Sequence, residues 1–584
     1  MANNTKRFLA GTAAAALAFS LAACGSSSDD NESTGSSSGE ATKGGTLTYY
    51  LSAPLGHTDP QRTYTGRDVA NFRRTVYRSL VAFPIADDAK TANTPVPDLA
   101  TDTGTATDNS KTWSFTLKDG VKWQDGSDVT CEDFKYGASR VFATDVITGG
   151  PNYLLSYLDV PKDPSTGLPS YTGPYKSTPE GQAAFDKAIT CDGKTITYHF
   201  NKPWPDFPLA VASLEMMDPY KKDQDKGDLS NYSIFSNGPY MIDGGTTAWD
   251  KDKGATLVRN PNYDAATDST DIRKALPDKI TFDVGKTPET VYGLMINNSP
   301  EAQAAVAGSR LTPALIPQIT DKSLYANVDS PYTDYLVPNT KRLSLPVRQA
   351  LATATNKKAW ITAGGGDKFY KPADSIVNTA VTGYQPNPAF KDIPLEGDPA
   401  AAKKILQDAG VQMPYPIKFT FDNSSGSDVP GKQAAALKET WDQAGFKVTL
   451  DPQTDAYYPA IQKPNGDSDI TWAGWGADWP SAITVTAPLF DSRINLTKNS
   501  NGQDYGNYKS DAFNALVDKA QNATSIDEQT KALQDADIQL GKDYAYIPLE
   551  QSLFNWAWGS KVANFTADAS SNMYPDLGAI GVKQ

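Results

Sequence analysis

The chain has 584 residues, of which 39% are hydrophobic and 21% charged, so it is too long for one hydrophobic core and too apolar to be disordered. We therefore expect two to four domains. Lysine and arginine number 54 against 68 aspartates and glutamates, which gives a net charge of −14. This acidic balance argues against a nucleic-acid partner. With two histidines and three cysteines, the chain also lacks the inventory for ordinary zinc sites, and we expect neither metal nor cofactor.

The first 23 residues have the pattern of an export signal. Two basic residues precede an apolar run, Phe8 to Ala22, which is too short to span a bilayer. The run leads into Leu-Ala-Ala-Cys at positions 21–24, which resembles the bacterial lipobox, whose cysteine is acylated after cleavage. We predict a lipoprotein signal peptide over residues 1–23 and lipidation of Cys24, which would place the protein outside the cytoplasm, anchored to the outer face of the plasma membrane. The alternative is an ordinary secretory signal with a chance cysteine.

Residues 24–43 are rich in Ser, Gly, Asp and Glu and have no hydrophobic periodicity, which predicts a flexible linker. The globular body then begins near Gly44. With Cys24 lipidated, Cys131 and Cys191 remain as an even pair in an oxidising compartment, and we predict a disulfide between them. Two free buried thiols are the alternative.

Segments typical of strands and of helices alternate along the body. Period-two alternation predicts the strands Thr46–Leu51, Thr112–Leu117 and Lys194–Phe200. Helical periodicity predicts helices over Asp68–Leu80, Arg348–Ile361, Pro399–Ala409, Lys432–Ala444 and Ser510–Gln521. Between them, Gly150 to Gly181 is dense in Pro, Gly, Ser and Thr and is predicted to be a long surface excursion. The mixture indicates an α/β or α+β fold.

Several blocks of the body resemble one known family. The first, residues 111–134, has the pattern of two strands joined by a tight turn and followed by a helix that Thr130 and Asp133 cap. The further blocks are Asp59-Pro60 with Val76–Val81, Ser236–Tyr240 with Val258–Tyr263, and Val347–Leu351 with Asn356–Lys358. In this order they resemble the bacterial extracellular solute-binding proteins of the peptide/nickel class, family 5, and among these the oligopeptide- and dipeptide-binding lipoproteins.

One more block, residues 469–480, is similar to the G-W-x-A-D-Y segment of peptide-binding members. The resemblance implies that Asp478 binds the ligand's α-ammonium and that a Gly-Trp-Gly strand edge pairs with the ligand main chain. The candidate ligand-binding residues are Gly474, Trp475, Gly476, Asp478 and Trp479, the last of which replaces the family's tyrosine. The chemistry also fits without the family, because glycines let another backbone approach and a carboxylate is the natural partner of a buried ammonium.

The same block has a purely structural interpretation. Trp472, Trp475 and Trp479 would then be core residues near a turn, and Asp478 would cap a helix that begins at Pro480.

The resemblance implies an α/β fold of the two-lobed periplasmic-binding-protein type II, with an extra inserted domain, that closes like a hinge around its ligand. The implied boundaries are 44–82, 206–330 and 546–584 for lobe I, 83–205 for the inserted domain, and 331–545 for lobe II. The implied function is that of a monomeric substrate-binding lipoprotein of an ABC transporter, which captures extracellular oligopeptides and delivers them to permease and ATPase subunits. It implies no enzymatic activity.

Other functions stay open at this point. Within the receptor class the ligand could be a nickel chelate, an oligosaccharide or a signalling peptide, although only His57 and His199 could serve nickel. A different class is a secreted glycan hydrolase with a pair of acids in an aromatic cleft.

Overall fold

The computed structural model describes residues 42–164, 167–424 and 427–583. The predicted signal peptide, Cys24 and the predicted linker up to residue 41 lie outside these ranges. Within the described ranges, every helix is too short or too polar to cross a membrane.

A five-stranded sheet draws its strands from residues 46–307. Its order is β11-β1-β10-β9-β8. The strands are β1 (Thr46–Leu51), β8 (Tyr240–Ile242), β9 (Thr256–Arg259), β10 (Lys279–Val284) and β11 (Ala305–Ala307). The predicted strand Thr46–Leu51 is confirmed with its bounds, and it runs parallel to both of its neighbours, β10 and β11. Parallel neighbours need long crossover connections, which the intervening chain provides.

A four-stranded antiparallel sheet forms within residues 105–199, in the order β4-β5-β7-β6. Its strands are β4 (Thr105–Thr107), β5 (Thr112–Thr116), β6 (Ile189–Asp192) and β7 (Thr195–His199). Beside it, helix α3 (Cys131–Arg140) begins with the predicted capping box, in which Thr130 and Asp133 each bond the other's backbone N–H. A disulfide joins Cys131 to Cys191, whose Cα atoms lie 5.9 Å apart, and so ties α3 to β6.

A six-stranded mixed sheet has the order β13-β17-β12-β16-β14-β15. Its strands are β12 (Tyr325–Pro338), β13 (Tyr370–Pro372), β14 (Tyr415–Asp422), β15 (Phe446–Gln453), β16 (Ile470–Gly476) and β17 (Ile547–Ala557). Two small ribbons pair β2 (Val81–Ala82) with β3 (Val96–Pro97) and β18 (Val562–Ala563) with β19 (Gly581–Val582).

Helices cover the sheets and fill the connections. The remaining α-helices are α1 (Gly66–Thr75), α2 (Ala89–Ala92), α4 (Tyr153–Tyr157), α5 (Pro179–Ala188), α6 (Phe207–Ser213), α7 (Pro288–Ile296), α8 (Leu345–Ala354), α9 (Lys357–Gly364), α10 (Pro399–Asp408), α11 (Val429–Gln443), α12 (Tyr457–Ile461), α13 (Ile483–Phe490), α14 (Ser492–Asn495), α15 (Asp511–Gln521) and α16 (Ile526–Lys542). Short 3₁₀ turns lie at Glu215–Met217, Lys222–Gln224, Gly227–Ser230, Ala265–Thr267, Pro300–Ala302, Ile316–Gln318, Lys322–Leu324 and Ala569–Ser571.

Two of the predicted helices differ most from those in the structure. The predicted helix Arg348–Ile361 is two helices, α8 and α9, because Asn356 accepts a hydrogen bond from the Ala359 N–H and so caps a new helix. The predicted helix Asp68–Leu80 ends at Thr75. The next residues are extended instead, since the Arg78 N–H donates to the Asn237 side chain at 2.8 Å and the Leu80 carbonyl accepts from Asp98 and Ala100.

Two large apolar cores share the strands β12 and β17. One core lies on the five-stranded sheet and includes Phe554 and Trp556 of β17. The other runs through the four- and six-stranded sheets and includes Leu336 of β12 and Leu549 of β17. A pair of antiparallel strands therefore extends from one core into the other.

Candidate functional site

Strand β16 carries three of the candidate residues and has one free edge. On one side it pairs with β12 from Pro338↔Ile470 to Tyr332↔Gly476. On the other side β14 pairs with it only at Ile470 and Thr471. Among the described strands, none continues the ladder beyond Thr471 on that side, so the edge that follows Trp472, up to Gly476, can accept another strand.

The register of β12 and β16 fixes which backbone groups face that edge. The Asn339 N–H donates to the Asp469 carbonyl at 2.8 Å, and hydrogen-bonded pairs alternate with non-bonded pairs along an antiparallel ladder. The residues whose backbone groups face away from β12 are therefore Trp472, Gly474 and Gly476. The Tyr457 hydroxyl donates to the Trp472 carbonyl from the free side, in agreement with this alternation. Trp475 instead directs its backbone groups toward β12.

Positions 474 and 476 require glycine for a structural reason, in addition to the room that glycine leaves for a ligand. A Cβ on Gly474 would lie 2.5 Å from the Asp334 carboxylate, and a Cβ on Gly476 would lie 2.7 Å from the Tyr332 ring. Both neighbours are the directly opposite residues on β12. Glycine therefore makes room for the side chains of β12, a reason that the sequence alone does not reveal.

Asp478 lies two residues beyond β16 and accepts hydrogen bonds from two tyrosines. The Tyr64 hydroxyl donates at 2.7 Å and the Tyr153 hydroxyl donates to the other carboxylate oxygen. Burial, together with the nearby Asp478 carboxylate, raises the pKa of both tyrosines, so both hydroxyls keep their protons and act as donors. Within the described part of the chain, no lysine, arginine or histidine forms an ion pair with Asp478.

Burial also raises the pKa of Asp478 itself, an effect that the two hydroxyl hydrogen bonds oppose. This half-buried carboxylate has donors for its oxygens but, among the described residues, no cation for its charge. The alternative that Asp478 caps a helix is wrong, because α13 begins at Ile483 and its N-cap residue is Ala482. The Asp478 N–H donates to the Thr484 hydroxyl at 3.2 Å instead.

Trp479 is fully buried behind Asp478. Its ring packs edge-on against Tyr153 and tilted against Trp204, and its indole N–H donates to Asp206 at 2.6 Å. Trp475 is partly exposed, and its indole N–H donates to the Thr484 carbonyl at 2.9 Å. The arrangement brings Asp478 and the strand edge together and sets the Trp479 ring behind them, where it supports the position of Tyr153.

Sequence reasoning missed the partners of the Asp478 motif. Tyr64 precedes α1, and Tyr153 is the first residue of α4, within the segment predicted to be a surface excursion. They lie 414 and 325 positions away from Asp478 in the chain. A tyrosine in an irregular segment carries no local pattern that links it to a distant carboxylate.

Two cavities lie near this region. The one that Asp478 itself lines has a volume of about 50 Å³, which is too small for a peptide. A larger cavity of about 500 Å³ lies between the segment Gly308–Pro313, which follows β11, and residues of the six-stranded sheet, including Tyr370 and Ser552. We call it the Arg310 cavity.

Two acids face each other across β12 and β17 beside the strand edge. Asp334 pairs with Glu550 in the ladder, and the carboxyl group of each residue influences the pKa of the other. Burial raises the pKa of Asp334 to about 7 and that of Glu550 well above its ordinary value. The described residues leave one Glu550 oxygen without a hydrogen-bond partner. The pair therefore holds at least one proton near neutral pH.

This pair makes stability depend on pH in a predictable direction. The folded protein binds more protons than the unfolded chain between about pH 4 and pH 7, so this contribution to stability is present below pH 4 and is lost as the pH rises through 7. Glu550→Gln removes one acid and keeps a hydrogen-bond donor for Asp334. We expect the melting temperature of the variant, relative to wild type, to be higher at pH 8 than at pH 5.

The matched control is Asp329→Asn, which changes an exposed acid on β12, the strand of Asp334, that pairs with Lys371 at 2.8 Å. It should shift the melting temperature little and equally at both pH values. A Glu550→Gln difference that stays constant from pH 5 to pH 8 would contradict the shared proton.

The described residues contain no cluster of histidine, cysteine, aspartate or glutamate that could hold a metal ion. The candidate site consists of the strand edge, the Asp478 carboxylate and the nearby aromatic side chains of Tyr64, Tyr153 and Trp479.

Comparison with known proteins places these features in a family. Residues 94–496 match the family described as "Bacterial extracellular solute-binding proteins, family 5 Middle". "Heme-binding protein A" of Haemophilus influenzae is 23% identical over 573 residues, which are 92% of this chain and 93% of that protein. "Periplasmic oligopeptide-binding protein OppA" of Salmonella typhimurium is 22% identical over 464 residues, 75% of this chain and 76% of that protein.

Among solved structures, "Clavulanic acid biosynthesis oligopeptide binding protein 2" superposes with a TM-score of 0.81 at 24% identity, and covers 93% of this chain and 96% of its own. The predicted α/β, two-lobed type II fold is confirmed by such neighbours, and so is the resemblance drawn from the sequence blocks. The chain belongs to family 5 of the bacterial extracellular solute-binding proteins.

Proposed function

We propose that this protein captures extracellular oligopeptides that have a free amino terminus and delivers them to an ABC permease. The observation that carries the proposal is Asp478, a half-buried carboxylate with two hydroxyl donors and no cation, two residues beyond a free strand edge. An ammonium group is the chemistry that such a carboxylate lacks.

The strand edge explains how such a receptor can bind peptides of many different sequences. A ligand in extended conformation can bond to the outward backbone groups of Gly474 and Gly476, and these bonds are the same for every peptide sequence. Asp478 then sets the register by holding the first residue. The names of relatives such as the Salmonella OppA agree with a peptide ligand.

The remaining parts of the proposal concern place and partners. The lipobox makes Cys24 the anchor to the outer face of the membrane. The domain division is the one implied by the family, with the inserted domain over residues 83–205 between segments of lobe I. The protein acts as a monomer that passes its ligand to the permease and ATPase subunits.

The test is to identify what the protein carries. The protein is purified gently from a peptide-rich medium, its mass is measured under native conditions, and it is then denatured to release bound molecules. We expect peptides with free amino termini. A protein that carries sugar or a metal chelate, or that is empty and binds no peptide in calorimetry, would contradict the proposal.

Among the described residues, Asp334 and Glu550 are a pair of neighbouring acids that bears on the hydrolase alternative. Glycosidases hold their two carboxyl groups about 5 to 9.5 Å apart so that the sugar and water fit between them. Here the two acids are directly paired residues of neighbouring strands, and Glu550 is buried from solvent. This arrangement does not suit that chemistry, and we propose that the protein binds its ligand without turning it over.

A further inference from the structure

Another cavity, of about 690 Å³, lies at the end of the six-stranded sheet that is remote from Asp478. Strand β16 begins at Ile470, opposite Pro338 of β12, and the chain reaches the cavity at Thr340, two residues beyond Pro338. Gly476, at the cleft end, is six residues further along β16, which is about 20 Å at the rise of a strand. The cavity shares no lining residue with the Arg310 cavity, so it is separate from the candidate peptide site.

The charges on the wall of this cavity are mainly positive. Lys341, Arg348 and Lys509 line it together with one acid, Asp543, and we call it the Lys509 cavity. Three positive charges against one negative charge leave a net charge of +2 on the wall. The whole chain has a net charge of −14, so the sign is reversed locally. A concave wall of this kind attracts anions.

Arg348 is the buried cation of the Lys509 cavity, and it has no acidic partner. The residue is 9% exposed, and its Nη1 donates to the Leu343 carbonyl at 2.6 Å. Its Nε and Nη2 donate to the Asp543 carbonyl at 3.0 and 2.7 Å. The Asp543 carboxylate instead accepts from the Tyr508 hydroxyl at 2.6 Å and from the Gln539 amide at 2.9 Å. These bonds fix the guanidinium in place, use three of its five N–H groups and leave its charge without an ion pair among the described residues.

The two lysines of the cavity are exposed, and neither is paired with an acid. The Lys341 ammonium has one hydrogen bond, to the Asn465 side chain at 3.5 Å. Lys509 forms neither a hydrogen bond nor an ion pair through its side chain with any described residue. Lysines elsewhere on the surface often pair with a nearby acid, as Lys404 does with Asp408 at 2.8 Å. Lys341 and Lys509 therefore keep donors for a group that enters the cavity.

We propose that the Lys509 cavity binds a phosphate group, which Lys341, Arg348 and Lys509 hold. A phosphate monoester carries close to two negative charges at neutral pH, which matches the excess charge of the wall. Its three terminal oxygens accept hydrogen bonds from several donors at once, with arginine as a planar donor and lysine as a point charge. The remaining volume accommodates the molecule to which the phosphate is esterified.

Two sources could supply this phosphate group. One is a soluble phosphorylated molecule, such as a sugar phosphate. The other is the phosphodiester headgroup of a lipid in the membrane to which the lipobox would tether the chain. The inference does not depend on peptide binding, because the cavity lies outside the cleft.

The test is calorimetry of the purified protein with inorganic phosphate, glucose 6-phosphate and glycerophosphoglycerol, the soluble diester of a lipid headgroup. Glucose is the neutral control, and ionic strength is held constant. We expect glucose 6-phosphate to bind and glucose not to bind. The double variant Lys341→Gln/Lys509→Gln should weaken phosphate binding by about 10- to 100-fold without disturbing the fold, since both lysines are exposed. Lys391→Gln/Lys447→Gln removes two exposed lysines outside the cavity and should change binding by less than about twofold.

The diester distinguishes the two sources. A lipid headgroup predicts that glycerophosphoglycerol binds at least as tightly as glucose 6-phosphate, whereas a soluble ligand predicts that the diester binds more weakly. Equal weakening by the two double variants would overturn the site, because it would show a general attraction of anions to surface charge. The site would also be overturned if wild type bound none of the three phosphates. Both results would leave the proposed peptide binding untouched.

Discussion

Replacing Asp478 by alanine is expected to lower the affinity for a free-amine oligopeptide by roughly two to three and a half decades. The reason is that the ligand's ammonium loses the carboxylate that binds it, which costs about 3–5 kcal/mol for a desolvated charge. The hydroxyls of Tyr64 and Tyr153 would lose their acceptor at the same time. Calorimetry with one peptide in free and N-acetylated form measures the effect.

Two control variants separate the effect of the Asp478 charge from the effect of its hydrogen bonds. Asp478→Asn keeps an acceptor for the tyrosines but removes the charge, so it should reduce the preference for the free amine over the acetylated peptide to about one. Tyr64→Phe removes one donor from the carboxylate and should weaken binding only by the amount of one hydrogen bond, about 1 kcal/mol. An affinity of Asp478→Ala within about threefold of wild type would show that the ammonium binds elsewhere.

The second large effect is expected from the disulfide between Cys131 and Cys191. The bond closes a loop of 60 residues, which in the chain-entropy model corresponds to about 4 kcal/mol of stability. The double variant Cys131→Ala/Cys191→Ala should therefore unfold at a temperature lower by about 4 °C in calorimetry. Because the bond ties α3 to β6, the loss should begin in the four-stranded sheet.

Cys24→Ser serves as the matched control, since it removes a cysteine that the bond does not use. It should leave the unfolding temperature unchanged. Alkylation of the native protein followed by non-reducing mass spectrometry provides an independent readout. Two alkylated thiols at positions 131 and 191 would contradict the disulfide.

Local chemistry explains which parts of the fold were predictable. The cap at Thr130 and the cap at Asp398 before Pro399 are set by residues within one helical turn, and both are present in the structure. The break at Asn356 was missed because apolar periodicity continues through it. The end of α1 at Thr75 was missed because its cause, pairing with residues near Asp98 and Asn237, is remote in the chain.

The candidate site also contains residues that the sequence could predict and residues that it could not. Asp478 and the Gly-Trp-Gly edge belong to one contiguous segment, so a motif can reveal them. Tyr64 and Tyr153 come from two other segments, and only the folded chain brings them to Asp478. The spacing of the two glycines did not predict that Asp334 and Tyr332 lie opposite positions 474 and 476. Cross-strand neighbours depend on the register of β12 and β16, which the sequence of one strand does not contain.

The ladder between β12 and β17 limits how the protein can move. Their ladder runs from Tyr325↔Ala557 to Leu336↔Ile547 and is interrupted by register shifts between Asp329 and Thr333 and again after Asp334. Bonded pairs before and after the interruption oppose sliding of one strand along the other, whereas an irregular ladder bends easily. We therefore expect the protein to open and close by a single bending motion of these two strands. Such a motion returns Tyr64 to Asp478 in each cycle, although 414 positions separate them in the chain.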